Sequence, residues 1–276
     1  MELNDAHVLV TGGSRGIGAA LAREFAKAGA RVSLTARSTD AIEALAAEIG
    51  GEAFTADLLD PASVDSLIEQ VENAAGPIDV LVNNAGLEDH GWFHEGDVAE
   101  SRRVIHLNLE APIVLTRNVL PGMIERGRGH LVFVSSLAGT GGFPGMSVYG
   151  ATKAGLTNFV ASLRMELDGA GVHSTVVAPG PVDTDMWDAI EEDNELEPML
   201  KRLRRLQLLP TKSPEMLAKR SIAAVKADRR HVRVPRRLAS NHWLREAPTR
   251  LTELLIAGVP VGVGATKAEE AEAQES

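Results

Sequence analysis

Short apolar, β-branched runs alternate with longer stretches of helical periodicity along most of this 276-residue chain. The first run, His7 to Val10, passes through a glycine-rich turn into an apolar stripe that ends near Ala28, where Gly29 signals a helix stop. Arg31 to Thr35 reads as a second strand, Ala41 to Ile49 as a helix and Glu52 to Thr55 as a third strand. Pro61 opens a helix that closes before Gly76-Pro77. Asp79 to Val82, His130 to Val134 and Val172 to Val177 are further strand candidates. The stretches Val98 to Arg126 and Tyr149 to Leu167 are helical between them. Pro214 to Ala227 predicts another helix, and His231 to Val234 a last strand. Strands that are apolar throughout, rather than on alternate positions, are those buried on both faces. The pattern therefore predicts an α/β fold built on one doubly wound parallel sheet, with helices on both sides.

The rhythm changes after Pro179. An acidic run from Asp188 to Glu197 is followed by the basic Lys201-Arg202-Leu203-Arg204-Arg205. A solvated helix pair of complementary charge accounts for this, and a lid over a pocket is compatible with it. Asn241 to Ala257 has the spacing of an amphipathic helix, with Trp243, Leu244, Leu251 and Leu254 on its apolar side. The tail from Ala265 is rich in Ala, Glu and Lys and has no core residues. The expected organisation is one α/β domain at 1–238, carrying a substrate loop at about 184–212. A helical extension at 239–264 and a disordered tail at 265–276 follow.

Composition narrows the function classes. Apolar residues make up 44% of the chain and aromatics only 4%, which suits close packing of helices on a sheet. Lys plus Arg is 28 against 38 for Asp plus Glu, a net charge of −10, whereas a global nucleic-acid binder is normally basic. No cysteine is present, which excludes disulfides and thiolate metal sites. The start, Met1-Glu2-Leu3-Asn4-Asp5, lacks the basic and apolar regions of a signal peptide, and no apolar run approaches the roughly 20 residues that span a bilayer. A cytoplasmic location is the expectation.

Two clusters carry candidate chemistry. Thr11-Gly12-Gly13-Ser14-Arg15-Gly16-Ile17-Gly18 lies between the first strand and first helix. Glycine there lets backbone N–H groups approach a ligand, and the helix N-terminus favours negative charge, so the turn is a phosphate cradle. Strand two ends in Ala36-Arg37, where an NAD-binding fold places a carboxylate for the ribose hydroxyls. Arg15 and Arg37 without that carboxylate suit a 2′-phosphate, and so NADP over NAD. The second cluster is Tyr149-Gly150-Ala151-Thr152-Lys153, which puts phenol and ammonium on one helix face. A phenol has an ordinary pKa of about 10, and a neighbouring cation makes it usable as an acid or base. Two other signals carry less. His90 and His94 read as a surface-loop pair without a third ligand, so no metal site is expected. Gly145-Met146-Ser147 lacks both the second glycine and the preceding strand of a hydrolase nucleophile elbow.

In order along the chain, Thr11-Gly12-x-x-x-Gly16-Ile17-Gly18, Asp57, Asn83-Asn84-Ala85-Gly86, Asn108, Ser135-Ser136, Tyr149-x-x-x-Lys153 and Pro179-Gly180-Pro181-Val182-x-Thr184 resemble the short-chain dehydrogenases/reductases, over roughly His7 to Val234. The resemblance implies a single Rossmann-like domain and a catalytic set of Asn108, Ser136, Tyr149 and Lys153. Tyr149 would exchange a proton with the substrate oxygen, and Ser136 would hydrogen-bond that oxygen. Lys153 would lower the tyrosine's pKa and hold the nicotinamide ribose. Asn108 would kink its helix and hold a water relay. Gly12, Ser14, Arg15, Gly16, Ile17, Gly18 and Arg37 would cradle the cofactor phosphates. Asp57 and Leu58 would contact adenine, and Asn83, Ala85 and Gly86 would border the adenosine and ribose. Val182 and Thr184 would hold the carboxamide end.

The implied function is an NADP-dependent oxidoreductase interconverting a carbonyl and a secondary alcohol on a small molecule. Leu137, Phe143, Met146, Met186 and Trp187 in the variable loops point to a hydrophobic one. The alternative is a catalytically silent dinucleotide-binding regulatory or scaffolding protein on the same fold. A homo-oligomer, dimer or tetramer, is expected. His231 to Arg237 lacks the Gly-Gly with which many relatives build tetramers, so a dimer or monomer is open too. The basic stretch Lys219 to Arg237 and the helix after it read first as packing on the body or on a partner subunit. Peripheral contact with a membrane is the second reading.

Overall fold

The structure, a computed structural model, describes residues 1–191, 196–206 and 210–234. The helical extension expected at 239–264 and the tail at 265–276 lie outside the described residues, as do parts of the 184–212 segment. The strands are β1 (His7–Thr11), β2 (Arg31–Ala36), β3 (Glu52–Thr55), β4 (Val80–Asn83), β5 (Gly129–Val134), β6 (Val172–Pro179) and β7 (His231–Val234). They form one parallel sheet in the order β3-β2-β1-β4-β5-β6-β7. Each strand from β1 to β6 is followed by helix packed on one face of the sheet, which is why every residue of β1, β4 and β5 is buried.

The helices are α1 (Gly16–Lys27), α2 (Thr39–Ile49), α3 (Pro61–Ala75), α4 (Val98–Ile105), α5 (Ala111–Glu125), α6 (Ser147–Glu166), α7 (Asp185–Glu191), α8 (Glu197–Arg205) and α9 (Pro214–Lys226). Local chemistry sets several starts. Asp60 accepts from the Ala62 N–H ahead of Pro61, Asp97 from Ala99, and Ser213 from Met216 ahead of Pro214. One face of the sheet packs Val8, Val10, Val32 and Leu34 against Leu21, Phe25 and Ile42 of α1 and α2 and Leu217 of α9. The other packs Leu9, Leu81, Leu131 and Phe133 against α3, α5 and α6. A third apolar cluster, Ile190 of α7, Leu196, and Met199, Leu200 and Leu203 of α8, lies against Phe143, Met146 and Trp187. Among the described residues no helix is long and apolar enough to cross a membrane.

The sequence predicts one helix over Val98 to Arg126. The structure interrupts it with a π-helical segment, His106–Glu110, between α4 and α5. The wider turn carries Asn108 inward, where it is buried and bonded to the chain beyond β4. Strand order reverses between β1 and β4, and the chain diverges there into a crevice at the carboxyl ends of the strands. In open α/β sheets this is where ligands bind.

Candidate active site

A cleft of about 1220 Å³ opens at that reversal, running from the end of β2 across β1 and β4 to α7 and α8. Its floor is tied by one hydroxyl. Thr11 Oγ1 donates to the Val82 carbonyl at 3.1 Å and accepts from the N–H groups of Asn84 (3.0 Å) and Ala85 (3.1 Å). Asn84 Nδ2 completes the tie by donating to the carbonyls of Thr11 and Gly12. The glycine turn is dense. A Cβ on Gly18 would sit 2.2 Å from the Gly12 carbonyl oxygen and 2.5 Å from Asn84 Nδ2. Gly12 holds φ +64°, and a Cβ there would meet Ala85 Cα at 2.8 Å. Backbone thus replaces side chains around the N-terminus of α1, a surface suited to phosphate.

At the opposite end Tyr149 and Lys153, both buried, share a face of α6. Lys153 Nζ donates to the Val134 carbonyl at 3.0 Å and lies 5.6 Å from the centroid of the Tyr149 ring. Burial lowers the Lys153 pKa to about 8, since no carboxylate compensates the desolvated charge. Tyr149 departs from the expected direction. Burial dominates and pushes the phenol above its ordinary value, and the Glu88 carboxylate adds to this; a hydrogen bond from Ser136 opposes both. Ser136 also accepts from the Ala138 N–H at 3.1 Å, which fixes it at the head of a short 3₁₀ turn, Leu137–Gly139. Its neighbour Ser135 is turned away, bonded to the Lys153 carbonyl and to Thr157 Oγ1. A Cβ on Gly86 would come within 3.4 Å of Lys153 Nζ, so glycine there keeps the ammonium accessible from the β4 side.

The structure brings Gly12, Ser14, Arg15, Gly16, Ile17, Gly18, Arg37, Asp57, Leu58, Ala85, Gly86, Ser136, Tyr149, Lys153, Val182 and Thr184, all named from the sequence, into the lining of this one cleft. Two predicted residues are elsewhere. Asn83 is buried beneath the sheet with Nδ2 on Thr116 Oγ1 at 3.3 Å, and its neighbour Asn84 lines the cleft instead. Successive strand residues point to opposite faces, so only one of the two asparagines can reach the ligand side. Asn108 stands behind the cleft. It clamps Leu87, taking that residue's N–H on Oδ1 at 2.8 Å and donating from Nδ2 to its carbonyl at 2.7 Å. Arg15 reaches across the mouth to Asp185 on α7, Nη1 to Oδ2 at 2.7 Å, with both side chains more than two-thirds exposed. Asn84 and Glu88, to which the sequence assigned no role, also line the cleft. The five apolar loop residues it named all line the cleft, joined by Ile190, Leu196, Met199, Leu200 and Leu203.

A phosphate-bearing dinucleotide fits this chemistry. The turn offers bare backbone, Arg37 stands at the cleft beside Ala36, and β2 ends without a carboxylate. Residues 6–195 match the family model described as short chain dehydrogenase. The chain is 42% identical over 180 residues to ketoacyl reductase HetN of Nostoc, a match covering 63% of each chain. It is 37% identical over 187 residues to the 3-oxoacyl-[acyl-carrier-protein] reductase FabG of Escherichia coli, covering 67% of this chain and 77% of that one. A short-chain dehydrogenase from Sphingobium yanoikuyae, solved in complex with NADPH, superposes with a TM-score of 0.76 at 29% identity, covering 88% of this chain and 92% of the other. A metagenomic short-chain oxidoreductase in complex with NADP gives 0.68 at 34% identity, covering 85% and 98%. The chain belongs to the short-chain dehydrogenase/reductase family, and it is an oxidoreductase acting between a carbonyl and a CH–OH group.

Proposed function

We propose that this chain is an NADP-dependent reductase/dehydrogenase that interconverts a carbonyl and a secondary alcohol on an apolar small molecule, with Tyr149 as the acid/base. The observation that carries this is the convergence of Ser136, Tyr149 and Lys153 on one cleft that also holds the glycine turn and Arg37. The cofactor, when bound, supplies or accepts the hydride at the substrate carbon. The residues do the rest. In reduction the Ser136 hydroxyl donates a hydrogen bond to the carbonyl oxygen and steadies its developing charge. Tyr149 passes its phenol proton to that oxygen, and a proton from solvent restores it. Burial favours the neutral phenol, the form this direction requires. In oxidation the phenolate is the base, and the Lys153 ammonium and Ser136 are the groups that stabilise it. Lys153 also holds the nicotinamide ribose, with Val182 and Thr184 at the carboxamide. Asp57 and Leu58 take the adenine side, and Ala85 and Gly86 border the ribose.

NADP is preferred over NAD on the reading that Arg37, with Arg15 once released from Asp185, pairs the 2′-phosphate. The NADPH and NADP complexes of the two structural relatives support this. The proposed working unit is residues 1–238, with a substrate loop at about 184–212, in a cytoplasmic homo-oligomer.

The test is purified protein with NADPH and a panel of aliphatic, aromatic and steroid-like ketones, read as loss of nicotinamide absorbance. Tyr149→Phe should abolish turnover and leave NADPH binding within a fewfold of wild type. Turnover surviving in that variant sinks the mechanism. Tight NADPH binding with no turnover across the panel, together with a protein partner in pull-down, would instead favour a scaffolding role.

A further inference from the structure

The substrate half of the cleft contains one charged side chain that the chemistry above does not use. Glu88 lines the same cleft as Tyr149 and the apolar Phe143, Met146, Trp187 and Met199. Its backbone is held from both sides. Asn108 clamps Leu87 at N–H and carbonyl, and the Gly91 N–H donates to the Gly145 carbonyl at 3.1 Å, just ahead of α6. Segment 87–91 is thus strapped across the cleft, and Glu88 is a fixed feature of its lining. No hydrogen bond or ion pair among the described residues engages the carboxylate. It lies close enough to Tyr149 to act on the phenol electrostatically. Among the described residues, the other charged groups that line this half are Lys153, Asp183 and Asp185. Lys153 Nζ donates to the Val134 carbonyl and serves the phenol and the ribose in the reading above, and Asp183 and Asp185 are themselves acidic.

We propose that Glu88 is a specificity-determining residue, selecting a substrate whose apolar body carries a second, hydrogen-bond-donating group, hydroxyl or amine, and rejecting carboxylates and phosphate-bearing acyl thioesters. This rests on the reductase reading above. A carboxylate acceptor in an apolar, partly desolvated wall makes a charge-assisted bond with a donor, which is stronger than a neutral one. The same carboxylate raises the cost of placing a second negative charge beside it. The two named relatives act, by their names, on ketoacyl substrates. The proposal separates this chain from them.

The test uses the full chain with NADPH and a matched series. The series is an aryl alkyl ketone, the same ketone ending in a hydroxyl, an amine or a carboxylate, and acetoacetyl-CoA as the phosphate-bearing thioester. Wild type should prefer the amine and hydroxyl members over the carboxylate by about tenfold or more in kcat/KM, with acetoacetyl-CoA the poorest. Glu88→Gln should shrink the amine-to-carboxylate ratio about tenfold, and Glu88→Lys should invert it. The comparison is a ratio within each variant, so a general loss of activity does not imitate the effect. Ligand quenching of bound NADPH fluorescence reads the same ratio without turnover, including in a variant of low activity. Ratios unchanged within twofold in both variants, or acetoacetyl-CoA reduced as well as the amine, would overturn the proposal. Selectivity seen in binding without turnover of any member would uphold Glu88 and count against the reductase reading alone.

Discussion

Thr11 holds the two halves of the cleft floor together, and Thr11→Val measures how much. Valine keeps the shape of the buried side chain and removes the hydroxyl. Three hydrogen bonds go with it: to Val82, from Asn84 and from Ala85. The Val82 carbonyl loses little, since an under-satisfied carbonyl is tolerated better than an orphaned N–H. The Asn84 and Ala85 N–H groups are each left without their acceptor. A buried unsatisfied donor costs about 1–3 kcal/mol, and the lower part of that range applies because this strand end is only partly buried. The sum is about 2–3 kcal/mol. In a domain of this size each kcal/mol moves Tm by roughly 2–4 °C, so Tm should fall about 4–12 °C. The same loss loosens the Gly12 and Ala85 edges of the cleft, so the Kd for NADPH should rise severalfold. Differential scanning fluorimetry and NADPH fluorescence titration read the two effects. Thr11→Ser, which keeps the hydroxyl, should recover most of both. A Tm within 2 °C of wild type and an unchanged Kd in Thr11→Val would refute the idea that this hydroxyl joins the strands.

Two further outcomes follow from the charges. Lys153 is pushed down to about 8 from an ordinary 10.5, so folding works against its charged form. Below pH 8 folded and unfolded chains are both protonated and the cost is full; between 8 and 10.5 the unfolded chain holds more protons and stability rises with pH. Lys153→Met should therefore raise Tm at pH 7, by an amount corresponding to roughly 3 kcal/mol less the bond lost at Val134, and thermal melts should show the gain vanishing near pH 10.5. A lower Tm at pH 7 would contradict this. Asp185→Asn frees Arg15. It should tighten NADPH a fewfold at low salt, leave NADH nearly untouched, and lose its effect as salt screens the exposed charges. Equal effects on both cofactors would show that Arg15 does not reach the 2′-phosphate.

Much of the architecture is legible in one dimension because its causes are local. Parallel strands buried on both faces read as unbroken apolar runs, and Pro61 and Pro214 mark helix starts next to capping side chains. The glycine turn and the Tyr149–Lys153 spacing are likewise local, and the structure brings them to one cleft about 1220 Å³ in volume. Where the reading of single residues failed, the cause was contact from elsewhere in the chain. Either asparagine of the Asn83-Asn84 pair satisfies the motif, and only the packing of Thr116 beneath the sheet shows which one faces inward.

By itself, then, the order of residues determined the parallel sheet, the phosphate-binding turn and the phenol–ammonium pair, since each rests on periodicity or on neighbours a few positions apart. Tertiary structure alone decided that burial, opposed by the Ser136 hydrogen bond, raises the Tyr149 phenol pKa. It also decided that Arg15 pairs with Asp185 at a separation of 170 residues, and that Glu88 lines the cleft. Desolvation and Coulomb interaction depend on distance through space, and distance along the chain does not encode it.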